Sequence, residues 1–264
     1  MTDDRSPRRI QSVEVAFEIL EVLRDAEGAT VTEVAEQIDR SPGTTHTYLA
    51  TLRDQGYVRS IDGTYGVGLF ALPLGEYVRS RSRLYQVGKS EVDKLAQETG
   101  EAGHLVVESH GREILLYEQF GPDAVGEDLY TRIKGFPRRN LHCSAASKAI
   151  LAHLDPDRRD SILADYEFVE RTPNTILEED ALREELEEVR ENGFARNDEE
   201  QIAGVRAIAA PIVHEEVVHG AISLSAPTSR IRGEQFSESV PERVVHSANV
   251  IEVNLQTPPA SGEL

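Results

Sequence analysis

The apolar positions of the chain open at helical spacing. Val13, Phe17, Leu20 and Leu23 recur with Glu14, Glu18 and Glu21 between them, which predicts an amphipathic helix over about 12–25 with those four as its apolar face. Glu27-Gly28 breaks it. Thr30 precedes Glu33 by three, the spacing of a capping box, ahead of a short helix with Val31, Val34, Ala35 and Ile38 on one face. After a turn at Asp39-Arg40, Ser41-Pro42 offers an N-cap and a first helical proline. The third helix this predicts turns Thr45, Tyr48, Leu49 and Leu52 inward, runs to about Gln55 and ends at Gly56. Two short runs, 57–61 and 64–67, flank Asp62-Gly63, a strong hairpin signal.

Phe70, Leu72, Leu74, Tyr77 and Val78 carry the apolar pattern into Arg79-Ser80-Arg81-Ser82-Arg83, which reads as a helix joining two domains. Beyond it the pattern predicts a helix over 92–99 stopped by Gly100, then strands over 104–108 and 113–118 around a His110-Gly111-Arg112 turn. A third strand candidate covers 127–133. Helices follow over 144–154, 156–164 and 179–191, the last stopped by Gly193. Strands resume over 193–197, 207–213 and 218–225, the last two joined at His214-Glu215-Glu216. Phe236, Val240, Val244, Ala248, Ile251 and Leu255 predict a final helix. Hairpins with helices between them give an α+β class around an antiparallel sheet. The boundaries expected are 1–72 for the first domain, 73–90 for the linker helix, 91–257 for the second domain and 258–264 for a flexible tail.

Helix, short helix, turn, helix, hairpin is the plan of a winged helix-turn-helix, whose third helix enters the DNA major groove while the hairpin follows the backbone. The outward residues of that helix are Gly43, Thr44, His46, Thr47 and Thr51. Small hydroxylated residues near a helix start approach phosphates closely. His46 and Thr47 are candidates for base edges, Arg53 and Arg59 for phosphates, and Arg5, Arg8 and Arg9 for a minor-groove arm. The alternative is a sensor whose winged helix docks a protein partner.

Charge complicates the picture. The 264 residues, about one large domain or two ordinary ones, carry 47 Asp+Glu against 28 Lys+Arg, a net of −19. Only Lys89, Lys94, Lys134 and Lys148 are lysines. Such carboxylate excess suits a cytosol of molar salt, where acidic surfaces hold water and their repulsion is screened. Residues 1–70 alone hold 12 acidic and 7 basic side chains. At high salt the entropy of counterion release is small, so a DNA reader there leans on hydrogen bonds and shape. The 39% hydrophobic content supports a real core. The single Cys excludes an internal disulfide and a Cys-rich zinc module. No charged-then-apolar leader and no run of about 20 apolar residues is present, so a cytoplasmic protein with no membrane partner is expected.

Arg9-Ile10-Gln11-Ser12-Val13-Glu14, Thr32-Glu33-Val34-Ala35 and the run Thr44 to Val58 resemble the head of the IclR family of transcription factors. Thr47 stands where the family often has Arg. The second segment resembles the family's GAF-like effector-binding domain over nearly its full length. It does so through Leu141 to Ala149, Asn192 to Ala195, Asn197 to Glu200, Gly204 to Pro211 and Ala221 to Pro227. The resemblance implies a regulator that binds double-stranded DNA as a homodimer or tetramer on a pseudo-palindromic operator, with no cofactor, in control of a catabolic pathway. It also implies that Ala145, Ala146, Asn197, Ala207, Ser223 and Ser225 line the effector site. Asn197, Ala207 and Ser147 depart from the family's usual Asp, Cys and Gly.

Physical chemistry argues for a pocket independently. Ser144-Ala145-Ala146-Ser147 opens a helix, where backbone N–H groups are free to seat an anion or polar oxygen. Ser223 and Ser225 share one side of a strand, and Asn197 offers donor and acceptor. These groups suit a small organic acid or a sugar-derived ligand. His142-Cys143 is adjacent rather than spaced for one metal ion, and His104 would have to join it from elsewhere, so no metal site is expected. No nucleophile elbow, Walker loop, zinc-protease helix or dinucleotide fingerprint occurs, so no catalytic residues are expected. Carboxylate pairs such as Glu184-Glu185 are read as solvated helix faces.

Overall fold

The structure is a computed structural model that describes residues 9–125 and 140–257. It divides into two compact units, Met1–Val78 and Arg79–Leu264.

The first unit runs α1 (Gln11–Asp25), α2 (Val31–Gln37), α3 (Pro42–Asp54), β1 (Val58–Ile61) and β2 (Thr64–Val67). The capping box forms as the spacing predicts: Thr30 accepts from the Glu33 backbone while Glu33 accepts from Thr30 N at 2.8 Å. Ser41 caps α3, and Pro42 is its first residue. Asp62 and Gly63 take φ values of 50° and 81°, the two left-handed residues that a tight, right-twisted hairpin requires.

The core of this unit corrects the face expected of α1. Val15, Ile19 and Leu23 are buried, whereas Val13 is 49% and Phe17 65% exposed. Both stripes have helical spacing, but only the first packs with Val34, Ile38, Leu49 and Val58. Thr45 and Leu49 are buried on α3, and Tyr48 and Leu52 pack at its edge.

The joining helix is two helices. α4 (Ala71–Arg81) buries none of its residues. α5 (Arg83–Thr99) starts nine residues earlier than the helix expected over 92–99, because Ser82 interrupts the path and caps it by accepting from Tyr85 N.

The second unit is a five-stranded antiparallel sheet in the order β4-β3-β7-β6-β5, counted among the described residues. Its strands are β3 (Ala102–Ser109), β4 (Arg112–Phe120), β5 (Ala195–Asp198), β6 (Val205–His214) and β7 (Val217–Pro227). Alternation sorts the side chains. Leu105, Ile208, Ile212, Ile222 and Leu224 face α5 and α9 (Val240–Gln256). Val106, Ala209 and Ala221 face the other way, toward α6 (Ala145–His153), α7 (Pro156–Leu163) and α8 (Glu179–Asn192). α6 lies between the sheet and α8, so every residue from Ala145 to Ala152 is buried. Phe236, expected in the last helix, sits in a π turn over Gln235–Ser239 that precedes α9. The strand candidate over 127–133 and the tail over 258–264 lie outside the described residues.

Candidate functional site

Two sets of residues were singled out from the sequence, and the structure places them in opposite environments. On the first unit, Gly43, Thr44, His46 and Thr47 are exposed along the start of α3. The Ser41 hydroxyl accepts from Thr44 N at 3.2 Å and sits 2.9 Å from the Thr44 hydroxyl, which fixes the first turn. Nothing lies within 4 Å of where a Cβ at Gly43 would project, so backbone there is open to a close approach. Thr47 donates its hydroxyl to Gly43 O at 3.1 Å, and Thr51 donates to Thr47 O at 2.9 Å. Those two hydroxyls are therefore engaged with their own helix.

Arg53 and Arg59 are exposed, at the end of α3 and on β1. Arg53 lies 3.7 Å from Asp54. Arg59 faces Gly66 across the hairpin, and its guanidinium lies where a side chain there would stand. Arg9 is exposed, 3.8 Å from Glu14. Arg5 and Arg8 lie outside the described residues.

On the second unit the sheet register gathers the predicted residues. Asn197 pairs with Ala207 and Ala207 with Ser225, while Ser223 pairs with His104. Residues directly opposite one another share a face, so these form a polar floor beneath the N-terminus of α6. Ala145, Ala146, Asn197, Ala207, Ser223 and Ser225 all line one cavity of about 30 Å³. That is room for about two water molecules.

The same cavity is lined by His104, Glu113 and Gln201, which sequence reading did not assign to it. His104 shares a hydrogen bond with the Ser225 hydroxyl at 2.9 Å, and its other ring nitrogen is 3.8 Å from Glu118. Glu113, 4% exposed, reaches from β4 to the start of α6 and accepts from the hydroxyls of Ser144 and Ser147, the latter at 2.6 Å. The two serine hydroxyls at this helix start are thus given to the chain's own carboxylate. A charged residue within the β4 pattern was the available signal, but strand pairing decided where it points.

Asn197 turns its carboxamide oxygen to Glu200 N at 2.8 Å, leaving its amide donors for the cavity. Behind it lies a buried ion group. Lys148, fully buried, donates to Glu200 at 2.8 and 2.9 Å and to Glu185 at 2.9 Å. Burial raises the pKa of Glu200 from its usual range, and the Lys148 charge opposes that rise. Thr172 and Thr175 donate to Glu200 O at 3.2 and 2.8 Å and pin the same loop. Glu185 is consequently part of this group rather than of a solvated helix face.

The remaining expected oddities have structural partners. His142 Nε2 faces Val169 O at 3.1 Å, a carbonyl that can only accept, so this nitrogen carries the proton. Its Nδ1 then accepts from the Tyr166 hydroxyl at 2.7 Å. The neutral imidazole is satisfied at both nitrogens, and burial lowers its pKa. Burial pushes the neighbouring Cys143 thiol up to about 12, which keeps it protonated and unreactive at neutral pH.

These two constellations have counterparts in known proteins. A family model for the IclR helix-turn-helix domain matches residues 12–62, and one for the bacterial transcriptional regulator IclR C-terminal domain matches residues 77–253. The probable HTH-type transcriptional regulator ArcR of Halobacterium salinarum is 44% identical over 95% of this chain and 96% of its own. A crystal structure of an IclR-type regulator from Alicyclobacillus acidocaldarius superposes with a TM-score of 0.76 at 25% identity, covering 94% of this chain and 100% of that one. An IclR homologue from Microbacterium hydrocarbonoxydans, complexed with 4-hydroxybenzoate, has the same fold, with a TM-score of 0.75 at 24% identity over 93% of this chain and 99% of that one.

Proposed function

The chain belongs to the IclR family of transcriptional regulators, which are not enzymes, and from that premise we propose that it is a ligand-responsive regulator of a catabolic pathway. It reads a pseudo-palindromic operator as a homo-oligomer. The observation that carries the DNA reading is the start of α3: Gly43, Thr44, His46 and Thr47 stand together in solvent on a helix whose first turn is capped and whose opposite side is core. Open backbone at Gly43 and the Thr44 side chain meet phosphate, and His46 reaches a base edge. Thr47, its hydroxyl committed to Gly43 O, contributes its methyl group, which fits a thymine methyl. Arg53, Arg59 and Arg9 supply phosphate contacts.

Assembly follows from α4, whose Leu72, Leu74, Tyr77 and Val78 are each more than half exposed. An apolar helix face of this extent calls for a partner surface, and a second copy provides one that is self-complementary. The cavity beneath α6 is the effector site. The bound 4-hydroxybenzoate of the Microbacterium homologue supports a small molecule as its ligand. At about 30 Å³ the cavity is too small for an organic effector, so an effector displaces the start of α6 or the loop after β5, and that movement biases how two heads are placed.

A mobility-shift assay with the chain's own upstream DNA at molar KCl tests the reading. Retardation lost on His46→Ala supports it. No retardation of any fragment overturns it in favour of a protein-docking winged helix.

A further inference from the structure

Besides the α6 cavity, the second unit holds a groove of about 470 Å³. It lies on the other face of the sheet: Leu224 lines the groove, while its neighbours on β7, Ser223 and Ser225, line the cavity. We infer that this groove is a second ligand site, built for a phosphate dianion, free or esterified to a small molecule.

Its cations carry the inference. Arg230, Arg232 and Arg243 all line the groove. Arg230 is fixed in place: it gives Nε and Nη2 to the Glu101 carboxylate, the latter at 2.7 Å, and Nη2 also to Asp123 O at 2.6 Å. Arg232 and Arg243 are exposed, and their guanidiniums have no hydrogen bond, ion pair or ring partner among the described residues. In a chain of 47 acidic and 28 basic side chains, cations rarely lack a carboxylate. Lys89 in this unit has Asp93, Arg183 has Glu179 and Arg206 has Asp198. Glu234, Glu238 and Glu242, on the same stretch of chain as the free arginines, do not line the groove. Glu101 and Asp123 do, and Glu101 is neutralised by Arg230, which leaves Asp123 against Arg232 and Arg243.

The remaining polar groups add donors. The Ser229 and Ser239 hydroxyls and the Gln235 amide line the same space without side-chain partners among the described residues, and each can donate. Leu224, Ile231 and Val240 are buried and give the groove an apolar floor. A phosphoryl group presents three oxygens, which a guanidinium fork engages in pairs. Chloride, a sphere of single charge, satisfies no fork. The seat therefore keeps its selectivity even in molar KCl, where long-range attraction is screened within about 3 Å.

Titrations of the full chain followed by phosphorus NMR in molar KCl test this, with ribose 5-phosphate and inorganic phosphate as probes. Ribose 5-phosphate is expected to bind saturably, and excess ribose is expected not to displace it. Arg232→Gln/Arg243→Gln is expected to weaken binding at least ten-fold. Should that double variant not fold, Arg243→Gln alone is expected to weaken it about three-fold. Asp123→Asn is expected to tighten binding several-fold by removing a like charge, an effect that a merely structural role would not produce. Arg171→Gln, which removes an exposed cation outside the groove, is expected to change nothing. Inorganic phosphate binding as tightly as the ester supports the inference with free phosphate as occupant, and weaker binding supports it with an ester. No saturable binding of either probe to the wild type overturns it. So does binding that the arginine variants leave unchanged, or displacement by ribose.

Discussion

The two units hold their candidate residues in opposite ways. On the first, Gly43, Thr44, His46, Thr47, Arg53 and Arg59 are all exposed, and the buried residues of α3 are different ones. On the second, Asn197, Ser223 and Ser225 are 3%, 5% and 6% exposed, so the site is part of the interior. A reading surface can change its side chains with little effect on the fold that carries it. A cavity cannot, because each of its polar groups must be satisfied by neighbours that also hold the core together. The C-terminal unit therefore ties specificity to stability, and the N-terminal unit separates them.

The sharpest way to break this contrast is at Lys148. Lys148→Met leaves the Glu200 carboxylate buried without its cation, a change worth about 3–5 kcal/mol. Denaturant unfolding followed by probes in each unit should show the C-terminal transition shifted and the N-terminal one unmoved. An unchanged C-terminal transition would mean that the ion group does not brace the cavity. Ser41→Ala probes the other unit. Loss of the α3 cap should cost the head about 1 kcal/mol and weaken DNA binding with it, while ligand binding is retained.

Arg59→Ala should leave stability unchanged and reduce the slope of log affinity against log salt by about one. The loss should be uniform across operator sequences; a sequence-selective loss would move Arg59 from phosphate to a base edge. The smallest effect is a pH dependence confined to the C-terminal unit. Burial lowers the pKa of both His142 and His153, so the unfolded chain binds protons more readily than the folded one. Stability is then intact above about pH 6.5, the unperturbed histidine value, and falls as pH drops below it. Melting curves between pH 7.5 and 5.5 should show this, with a shallower decline in His153→Gln; a flat profile would contradict the burial argument.

The head was legible because its signals are local. The Thr30/Glu33 box, the Ser41-Pro42 start and the Asp62-Gly63 turn each act within a few residues, and each formed where the spacing predicts. The strands of the second unit were legible from alternation; four extend a residue or two beyond the expected runs, while β5 starts two residues later than expected, at Ala195. Failures occurred where two local solutions were equally good. The α1 helix carries two apolar stripes, and only packing against α2 and α3 selected Val15, Ile19 and Leu23 over Val13 and Phe17. In the same way Glu184-Glu185 reads as solvated until α6 brings Lys148 to Glu185.

The sequence by itself determined the elements, the family and the small polar residues that a ligand site needs, because periodicity, caps and turns are set by neighbours in the chain. Tertiary structure alone decided what those residues surround. Antiparallel pairing across β3, β7, β6 and β5 put His104 beside Ser223 and Ala207 beside Ser225. It also carried Glu113 of β4 onto the start of α6, 31 residues from Ser144 in the chain. A buried carboxylate gains its meaning from the groups it meets, and those are chosen by register rather than by spacing along the chain.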